Sequence, residues 1–462
     1  IYNLYIIILN LGGLKMTKLI LGFILWIFIF LKPLTVFAEA IEEYEQAKLD
    51  YINAVVCMAT YGDYNGRFAR YELSELGWDV SPFRDNVDGT EAKFITVKGQ
   101  DNSPEHDLYI VAITGTESHK DVMLDLNFHK VFFGGTTPEE FVEFAKRDKL
   151  TSQDPMVHSG FNKYANAAFY GQDDTGETYG VYLARILKED SNRKIYLTGH
   201  SLGGAAATLQ AARLISMGVN PKQIEVVSFG APAVGNKVFA DSYGSRINLR
   251  RIVLSGDPVQ GALQGISGGY TQFGDKIVWR RHHTLKNFKH EIAVYLDSAM
   301  RIYYDKKEKL KNSSLASDAE FVNEKQGKEM VYISAPTLNL DHVTIEDKKY
   351  VKEILEDVHR WSEHGFIINT EKRGTLNEEI KKAKNAGCKW LVLTNVESKQ
   401  MQKRYNDFYI AVEDILYNVE TEQLEAVFSS ARGSNDSTPL GTILNGALQV
   451  KQEREALIFK HS

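Results

Sequence analysis

Cysteine is scarce in this sequence of 462 residues, which contains only Cys57 and Cys388. Two cysteines so far apart exclude a disulfide-rich scaffold, and burial as free thiols is the expected state of both. The sequence also lacks the ligand spacings of metal sites and the pattern of a calcium-binding loop. We therefore expect no metal ion and no cofactor.

A large excess of charge of either sign is missing as well. The chain has 54 lysines and arginines against 60 aspartates and glutamates, which gives a formal net charge of −6 at pH 7. Since no block of basic residues is present, nucleic acid is not an expected partner. The length leaves room for two or three domains with a substantial core.

An apolar segment near the N-terminus predicts export. Residues 1–38 have the pattern of a signal peptide, in which residues 1–15 precede a start at Met16, the apolar run covers Leu19–Leu31, and small residues suited to cleavage lie at Val36–Ala38. The run is short for a membrane span and ends at a lysine and a proline, which favours cleavage over an uncleaved anchor. We expect an exported protein, extracellular or periplasmic.

Helical patterns alternate with apolar strands between residues 39 and 304. This alternation predicts an α/β fold with a mostly parallel sheet covered on both faces, in which ligands gather at the carboxyl ends of the strands. Residues 131–155 are read as a charged connection, and a helix is expected over His290–Tyr304. The predicted strands are Ala92–Val97, Leu108–Ile113, Ile195–Leu197, Ile224–Phe229 and Leu249–Leu254, which is expected to be the last strand of this block; a loop with several glycines then precedes Ile277–Trp279.

A polar and charged stretch over residues 305–330 is read as a linker. Residues 331–462 then form a second, smaller α/β (α+β) domain in this prediction. Its most regular features are a helix over Leu376–Ala386 that stops at Gly387 and a final helix that begins at Thr438-Pro439.

The strongest chemical motif is Thr-Gly-His-Ser-Leu-Gly-Gly at residues 198–204, between an apolar strand and a helix of small residues. Strand, sharp turn with a central serine, and helix is the layout of a nucleophile elbow. Gly199 and Gly203 provide the space that a strained turn at Ser201 needs. The helix that follows directs its N-terminal amides toward negative charge developing at the serine.

A nucleophilic serine needs a histidine base and an acid that orients it. If the fold is an α/β-hydrolase, both follow the serine in the chain, the acid first. Asp257 is the best acid because it follows a buried strand and precedes a proline. Asp241, in a helical stretch, and Asp275, beside a glycine-rich loop, are the alternatives.

The base is His290, His282 or His283. His282 and His283 are adjacent, so at most one of them can face the site. We favour His290 because the apolar residues behind it anchor it at the start of the expected helix.

An oxyanion needs two donors. One is the backbone N–H of Leu202, next to the serine. The other is expected at the end of a neighbouring strand, where Thr116 can provide its backbone N–H and its hydroxyl.

Taken together, these residues resemble the class 3 (fungal-lipase-like) family of α/β-hydrolases over Glu39–Tyr304. The motifs that carry the resemblance are Gly115-Thr116 with Leu124-Asp125-Leu126, His158-Ser159-Gly160-Phe161, Gly199-His200-Ser201-Leu202-Gly203, Phe229-Gly230-Ala231-Pro232 and Gly256-Asp257-Pro258. The family commonly has an arginine before the Gly-Thr step, where this chain has Thr114.

The resemblance implies hydrolysis of esters with lipid-like acyl chains. Ser201 would be the nucleophile, Asp257 the orienting acid and His290 the base. Thr116 and Leu202 would form the oxyanion hole.

The same resemblance implies two supporting features upstream of the serine. Asp125 would hold the hydroxyl of Thr116, and Ser118–Asn127 would be a mobile lid over the site.

The second block resembles the small α/β domains of curli-assembly and penicillin-binding-protein-activator proteins, on an Ala-Gly-x-x-Trp-Leu-Val-Leu strand entry at residues 386–393 and a following hairpin. That resemblance implies a docking module that binds an envelope protein and has no chemistry of its own.

The sequence therefore predicts an exported serine hydrolase, a lipase or carboxylesterase, whose partners are a lipid or ester substrate and, transiently, a lipid interface. A phospholipase is the alternative within enzymes. An alternative of another class is a non-catalytic envelope protein that uses the hydrolase fold as a scaffold.

Overall fold

The computed structural model describes residues 38–81, 92–99, 107–115, 129–170, 177–261, 269–282, 290–313, 322–327, 329–341, 345–362, 364–402, 407–434 and 436–460. By its internal contacts the chain divides into two units. One comprises residues 1–49 and 302–321, and the other comprises residues 50–301 and 322–462.

The first unit is helical where it is described. Glu43 forms ion pairs with Lys306 (3.1 Å) and Lys309 (2.5 Å), and all three side chains are partly exposed. The rings of Tyr44 and Tyr303 lie 5.7 Å apart. Aromatic contacts and a small surface ion-pair cluster therefore both contribute to holding the described part of this unit.

A seven-stranded sheet forms the centre of the second unit, in the order β1-β2-β3-β6-β7-β8-β9. Strands β1, β2 and β3 are antiparallel to their neighbours, whereas β3, β6, β7, β8 and β9 run parallel to one another. The mostly parallel α/β sheet predicted from the sequence is confirmed. The strands are β1 (Trp78–Val80), β2 (Phe94–Gly99), β3 (Leu108–Ile113), β6 (Lys194–His200), β7 (Ile224–Phe229), β8 (Asn248–Leu254) and β9 (Asp275–Trp279).

Helices cover both faces of this sheet. The helices are α1 (residues 38–59), α2 (Tyr64–Glu75), α3 (Pro138–Ala145), α4 (Ser159–Tyr170), α5 (Tyr179–Glu189), α6 (Leu202–Ser216), α7 (Lys237–Tyr243) and α8 (Ile292–Lys311). Helices α4, α5 and α6 share one core with Leu197 and Val226. On the other face, α1 contacts the sheet through Cys57 beside Thr198, and α8 through Tyr295 beside Phe229.

The expected connection over residues 131–155 is more ordered than the sequence prediction. It contains α3, and its ends belong to a two-stranded antiparallel pair, β4 (Lys130–Phe132) with β5 (Met156–His158). Thr137 caps α3 through its side chain and a proline follows at the first helical position, which are typical start signals. The charged connection predicted here thus contains a helix and the ends of two strands, which the sequence analysis did not predict.

A second sheet lies in residues 322–460, in the order β10-β12-β11-β13-β14-β15. Strands β12, β11 and β13 run parallel to one another, and β13, β14 and β15 form an antiparallel meander. The elements are β10 (Glu324–Lys325), β11 (Met330–Leu340), α9 (Ile345–Arg360), β12 (Gly365–Ile368), α10 (Leu376–Asn385), β13 (Trp390–Gln402), β14 (Asp407–Asn418), β15 (Gln423–Gly433) and α11 (Pro439–Lys460). The second α/β block is thus present as predicted.

The linker predicted over 305–330 is partly regular structure. Helix α8 continues to Lys311, and β10 pairs with β12 at Glu324 and Lys325. The polar residues at the start of this stretch therefore belong to the end of a helix and not to a loop.

Cys57 and Cys388 are both buried free thiols, as expected. Within the described ranges, no helix has the length and apolar character that crossing a membrane requires.

Helix α6 packs closely against both β3 and β6 of the central sheet. A Cβ atom at Gly203 would lie 2.1 Å from the carbonyl oxygen of Ile113 on β3, and one at Gly199 would lie 2.3 Å from the carbonyl carbon of Gly203. These neighbours are backbone atoms of the sheet and helix, which cannot move away separately. Both glycines are therefore required by packing.

We predict that Gly203→Ala lowers the free energy of unfolding by about 1–3 kcal/mol or more, because an overpacked methyl group must displace a strand. Urea denaturation measures this. The control is Gly261→Ala, where an added Cβ meets nothing within 4 Å. Equal stabilities of the two variants would contradict the packing argument.

Candidate active site

Ser201 stands at the junction of β6 and α6 in a strained backbone conformation, with φ 56° and ψ −122°. Its N–H donates to the carbonyl of Phe229 at the end of β7 (2.9 Å), which fixes the turn to the neighbouring strand. The residue is 1% exposed, and its hydroxyl makes no hydrogen bond to any residue that the structure describes. The nucleophile elbow predicted from the sequence therefore has the backbone geometry of that motif.

Asp257 and His290 form a buried pair beside this turn. Nδ1 of His290 lies 2.6 Å from Oδ2 of Asp257, and both side chains are almost fully buried. His290 immediately precedes α8, which begins at Ile292, so it lies before the helix and not within it. This is the contact that the sequence analysis expects between an acid and the base that it orients.

Two further donors hold the carboxylate of Asp257. The N–H of Val259 donates to Oδ1 (2.9 Å), and the phenol of Tyr295 donates to Oδ2. Burial, and then the neighbouring Asp257, raise the pKa of Tyr295 well above its ordinary value, so the phenol keeps its proton. The same phenol oxygen accepts from the N–H of Leu254 (3.3 Å), at the end of β8.

The alternatives for acid and base lie elsewhere. Asp241 is exposed on α7 and pairs with Lys237 (2.8 Å), and Asp275 is exposed at the first residue of β9. His282 is also exposed, and His283 lies outside the described residues. Among the described candidates, only Asp257 and His290 are buried together near the serine.

Gly230 marks the point where the site side chains converge. It has φ +62°, and a Cβ there would lie 2.6 Å from the phenol oxygen of Tyr295, 2.7 Å from Cε1 of His290 and 2.9 Å from Oδ2 of Asp257. Sequence reasoning noted this glycine as a strand end but did not assign it to the site. Its position directly after a predicted strand was the available signal.

The oxyanion hole is described in part. The N–H of Leu202 lies in the first turn of α6, where backbone donors have no acceptor within the helix. Thr116, Asp125 and the expected lid at Ser118–Asn127 lie outside the described residues.

The described neighbour of Thr116 is Gly115, which lies against the carbonyl oxygen of His200. A Cβ at Gly115 would come within 2.8 Å of that oxygen and of the phenol oxygen of Tyr61. Strand β3 therefore ends directly beside the elbow.

His200, next to the serine, contacts two residues of the site. Its ring centroid is 4.5 Å from that of His290, and its Nδ1 is 3.4 Å from the phenol oxygen of Tyr61. Burial raises the pKa of Tyr61 well above its ordinary value, against the effect of the Gly115 amide that donates to the phenol oxygen. The phenol therefore keeps its proton. Neither Tyr61 nor the role of His200 was predicted from the sequence.

His158, part of another sequence motif, is the last residue of β5 and immediately precedes α4. Its Nδ1 accepts from the N–H groups of Gly160 (3.1 Å) and Phe161 (3.3 Å), and its ring stacks on that of Phe161. Burial lowers the pKa of His158 to about 4. The residue is thus a neutral helix cap. In the part of the chain that the structure covers, no group of three or more side chains is arranged to hold a metal ion.

The profile of the family described as Lipase (class 3) matches residues 110–263, which include β3, the elbow and Asp257. This part of the chain is therefore similar to the class 3 lipase family. The match ends before His290, so that histidine is identified from its contact with Asp257.

Known proteins similar to this chain include enzymes of two kinds. A lipase of Caenorhabditis elegans is 47% identical over 78 residues, covering 16% of this chain and 22% of that protein. A phospholipase A1-II of rice (Oryza sativa subsp. indica) is 30% identical over 120 residues, covering 23% and 29%. This chain thus spans less than a third of the length of these curated relatives.

Among solved structures, the triacylglyceride lipase of Rhizomucor miehei aligns with a TM-score of 0.39 and 18% identity. The alignment covers 51% of this chain and 80% of that one. A lipase of Rhizopus microsporus var. chinensis aligns with a TM-score of 0.39 and 21% identity, covering 51% and 74%.

We predict that stability falls on acidification through His158. The folded protein keeps this imidazole neutral down to a pKa of about 4, whereas the unfolded chain protonates it near its ordinary value of 6.5. Between those values the unfolded state binds the extra proton, so the free energy of unfolding decreases as the pH falls. In a His158→Asn variant, the asparagine does not titrate, but its side-chain oxygen can accept hydrogen bonds from the same two N–H groups.

His158→Asn should therefore lose less stability than the wild type between pH 7 and pH 4.5 in urea denaturation. Parallel pH profiles of the two proteins would contradict the assignment.

Proposed function

We propose that this protein hydrolyses carboxylic esters of lipids through an acyl-enzyme formed on Ser201. The observation that carries the proposal is the buried Asp257–His290 pair, 2.6 Å apart, beside a serine held at φ 56° between strand and helix. The similarity of residues 110–263 to the class 3 lipase family supports the same chemistry.

In the first step, Oγ of Ser201 rotates toward His290 and attacks the acyl carbonyl carbon. Nε2 of His290 takes the hydroxyl proton, and the carbonyl becomes a tetrahedral oxyanion. The N–H of Leu202 and the donors of Thr116 are proposed to hold that oxyanion. His290 then gives the proton to the departing alcohol oxygen, which leaves the acyl group on Ser201.

In the second step, a water molecule attacks the acyl-enzyme while His290 takes one of its protons. Collapse of the new tetrahedral intermediate releases the carboxylic acid, and the proton returns to Oγ of Ser201. In each half-reaction, the proton that His290 gives up is the one that it took up earlier in that same half-reaction.

Asp257 stabilises the imidazolium that forms twice in this cycle. Val259 and Tyr295 donate to its two oxygens, so the carboxylate cannot rotate away from Nδ1 of His290. Orientation of the base thereby persists through both half-reactions. Asp125, as a support for Thr116, remains part of this proposal.

Triacylglycerols and simple carboxylic esters are the proposed substrates, and phospholipids are the second candidate because several similar proteins are named phospholipases A1. We also propose export directed by residues 1–38, transient contact with a lipid interface, and an envelope-protein partner for the domain at 331–462. Those proposals rest on sequence pattern alone.

Ser201→Ala should abolish hydrolysis of p-nitrophenyl esters, since loss of the nucleophile of a triad typically costs ~10⁶ in kcat. His290→Gln should cost a similar factor, while the exposed matched control His282→Gln keeps activity. Steady-state kinetics measures all three. Activity retained by Ser201→Ala would contradict the assignment of Ser201 as nucleophile, and equal losses in both histidine variants would contradict the assignment of His290 as base.

Labelling of Ser201 by a fluorophosphonate, located by peptide mapping, tests the scaffold alternative. A folded wild-type protein that takes no label would support a non-catalytic role.

The substrate class is tested with a lipid panel. We expect release of fatty acid from triacylglycerol and short-chain esters to exceed release from phosphatidylcholine at equal bulk concentration. A higher kcat/KM on phosphatidylcholine, with cleavage at the sn-1 ester, would instead assign a phospholipase.

A further inference from the structure

Helix α2 of the domain that contains the central sheet is held by the C-terminal sheet domain through three side-chain hydrogen bonds near its start. Asn445 on α11 donates to Oδ1 of Asn65 (2.9 Å), and Asn65 donates to the carbonyl of Asp436 (3.0 Å). The phenol of Tyr64 donates to Oε1 of Gln449 on α11 (3.1 Å). Asn65 is buried, so these bonds are shielded from competing water.

Charged contacts hold the same helix. Lys451, which is fully buried on α11, pairs with Glu75 at the last residue of α2 and with Glu455 (3.1 Å). The guanidinium of Arg432 on β15 lies 3.3 Å from the ring centroid of Tyr64. The second domain thus contacts both ends of α2, and a buried charge makes separation costly.

Helix α2 in turn fixes the turn that precedes it. Arg70 donates through Nη1 to the carbonyls of Ala59 (2.5 Å) and Tyr61 (2.9 Å). Asp63 caps the helix by accepting from the N–H of Gly66 (2.8 Å). A Cβ at Gly66 would lie 2.0 Å from the carbonyl oxygen of Tyr61, so helix and turn pack backbone against backbone.

The turn ends in the site. The phenol of Tyr61 lies between Nδ1 of His200, at 3.4 Å, and Gly115, the last described residue before Thr116. Tyr164 holds the same strand end from the other side by donating to the carbonyl of Thr114 (2.9 Å). Tyr61 therefore joins the residue before the nucleophile to the residue before the expected oxyanion donor.

We infer that the C-terminal sheet domain positions the catalytic site, by holding α2 so that Tyr61 keeps the elbow and the end of β3 in register. This inference rests on the proposed function for its kinetic consequence only. Tyr61 is a positioning residue in this scheme, and the domain contributes no reacting group. The second domain then has a role inside the enzyme, whatever else it binds.

A double-mutant cycle in the full-length protein tests the coupling. Asn445→Ala/Gln449→Ala removes both α11 side chains from the start of α2, and Tyr61→Phe removes the phenol oxygen. We expect each to lower kcat on a soluble ester by about tenfold with little change in KM, within the ~10² that small misplacements in active sites cost.

The two changes combined should cost no more than either alone, because they act through one contact. Gln452→Ala, an exposed position on the same helix, is the control and should leave kcat unchanged. Multiplicative losses of kcat in the combined variant, or no loss in the interface variant, would overturn the inference.

Imidazole nitrogen resonances of ¹⁵N-histidine-labelled protein give a readout that does not need activity, with His200 assigned through His200→Gln. The interface variant should shift the His200 resonances, and Gln452→Ala should not. If the wild type neither hydrolyses esters nor reacts with a fluorophosphonate, the proposed function fails. The shift of the His200 resonances in the interface variant still tests whether the C-terminal domain is coupled to the site.

Unchanged His200 resonances in the interface variant would overturn the coupling in either case. Should that variant unfold, Tyr64→Phe loses only the hydrogen bond to Gln449 and keeps the ring beneath Arg432, so it gives the same comparison.

Discussion

The strained backbone at Ser201 is the constraint on which the rest of the central domain depends. A positive φ at a residue other than glycine costs of order 1–3 kcal/mol and persists only where the surroundings enforce it. Here α6 approaches β3 and β6 so closely that Gly203 and Gly199 cannot carry side chains, and the carbonyl of Phe229 holds the N–H of Ser201. The parallel pairing of β6 with β7 supplies that carbonyl, so the conformation of the elbow depends on the order of the strands.

The buried carboxylate of Asp257 imposes a second demand. Its burial is tolerated because three donors surround it, one from its own loop and two from the region of α8. The phenol oxygen of Tyr295 also accepts a hydrogen bond from the N–H of Leu254 at the end of β8. The acid is thus built into the junction of strand, loop and helix, and could not be moved by one residue without leaving donors unsatisfied.

Strands β3 and β7 were predicted with their exact limits because both are rich in apolar residues, and β3 is followed directly by Thr114 and β7 by Gly230. Helix α2 was missed, since its sequence is polar and contains Gly66, and it is stabilised by packing against α11 instead of by its own pattern. Tyr295 was recognised only as an apolar anchor, and Tyr61 not at all. Periodicity identifies a buried aromatic ring but carries no information on the partner of its hydroxyl, which depends on contacts distant in sequence.

Arg301 gives the relation between the two sheets a further meaning. It lies on α8 of the domain that contains the central sheet, is 4% exposed, and divides its guanidinium between Asp297 on the same helix (2.9 Å) and Asp347 on α9 of the second domain (2.6 Å). Separating the two domains would leave this buried cation with half of its counter-charge. The two sheets are therefore joined by an electrostatic constraint as well as by the contacts of α2.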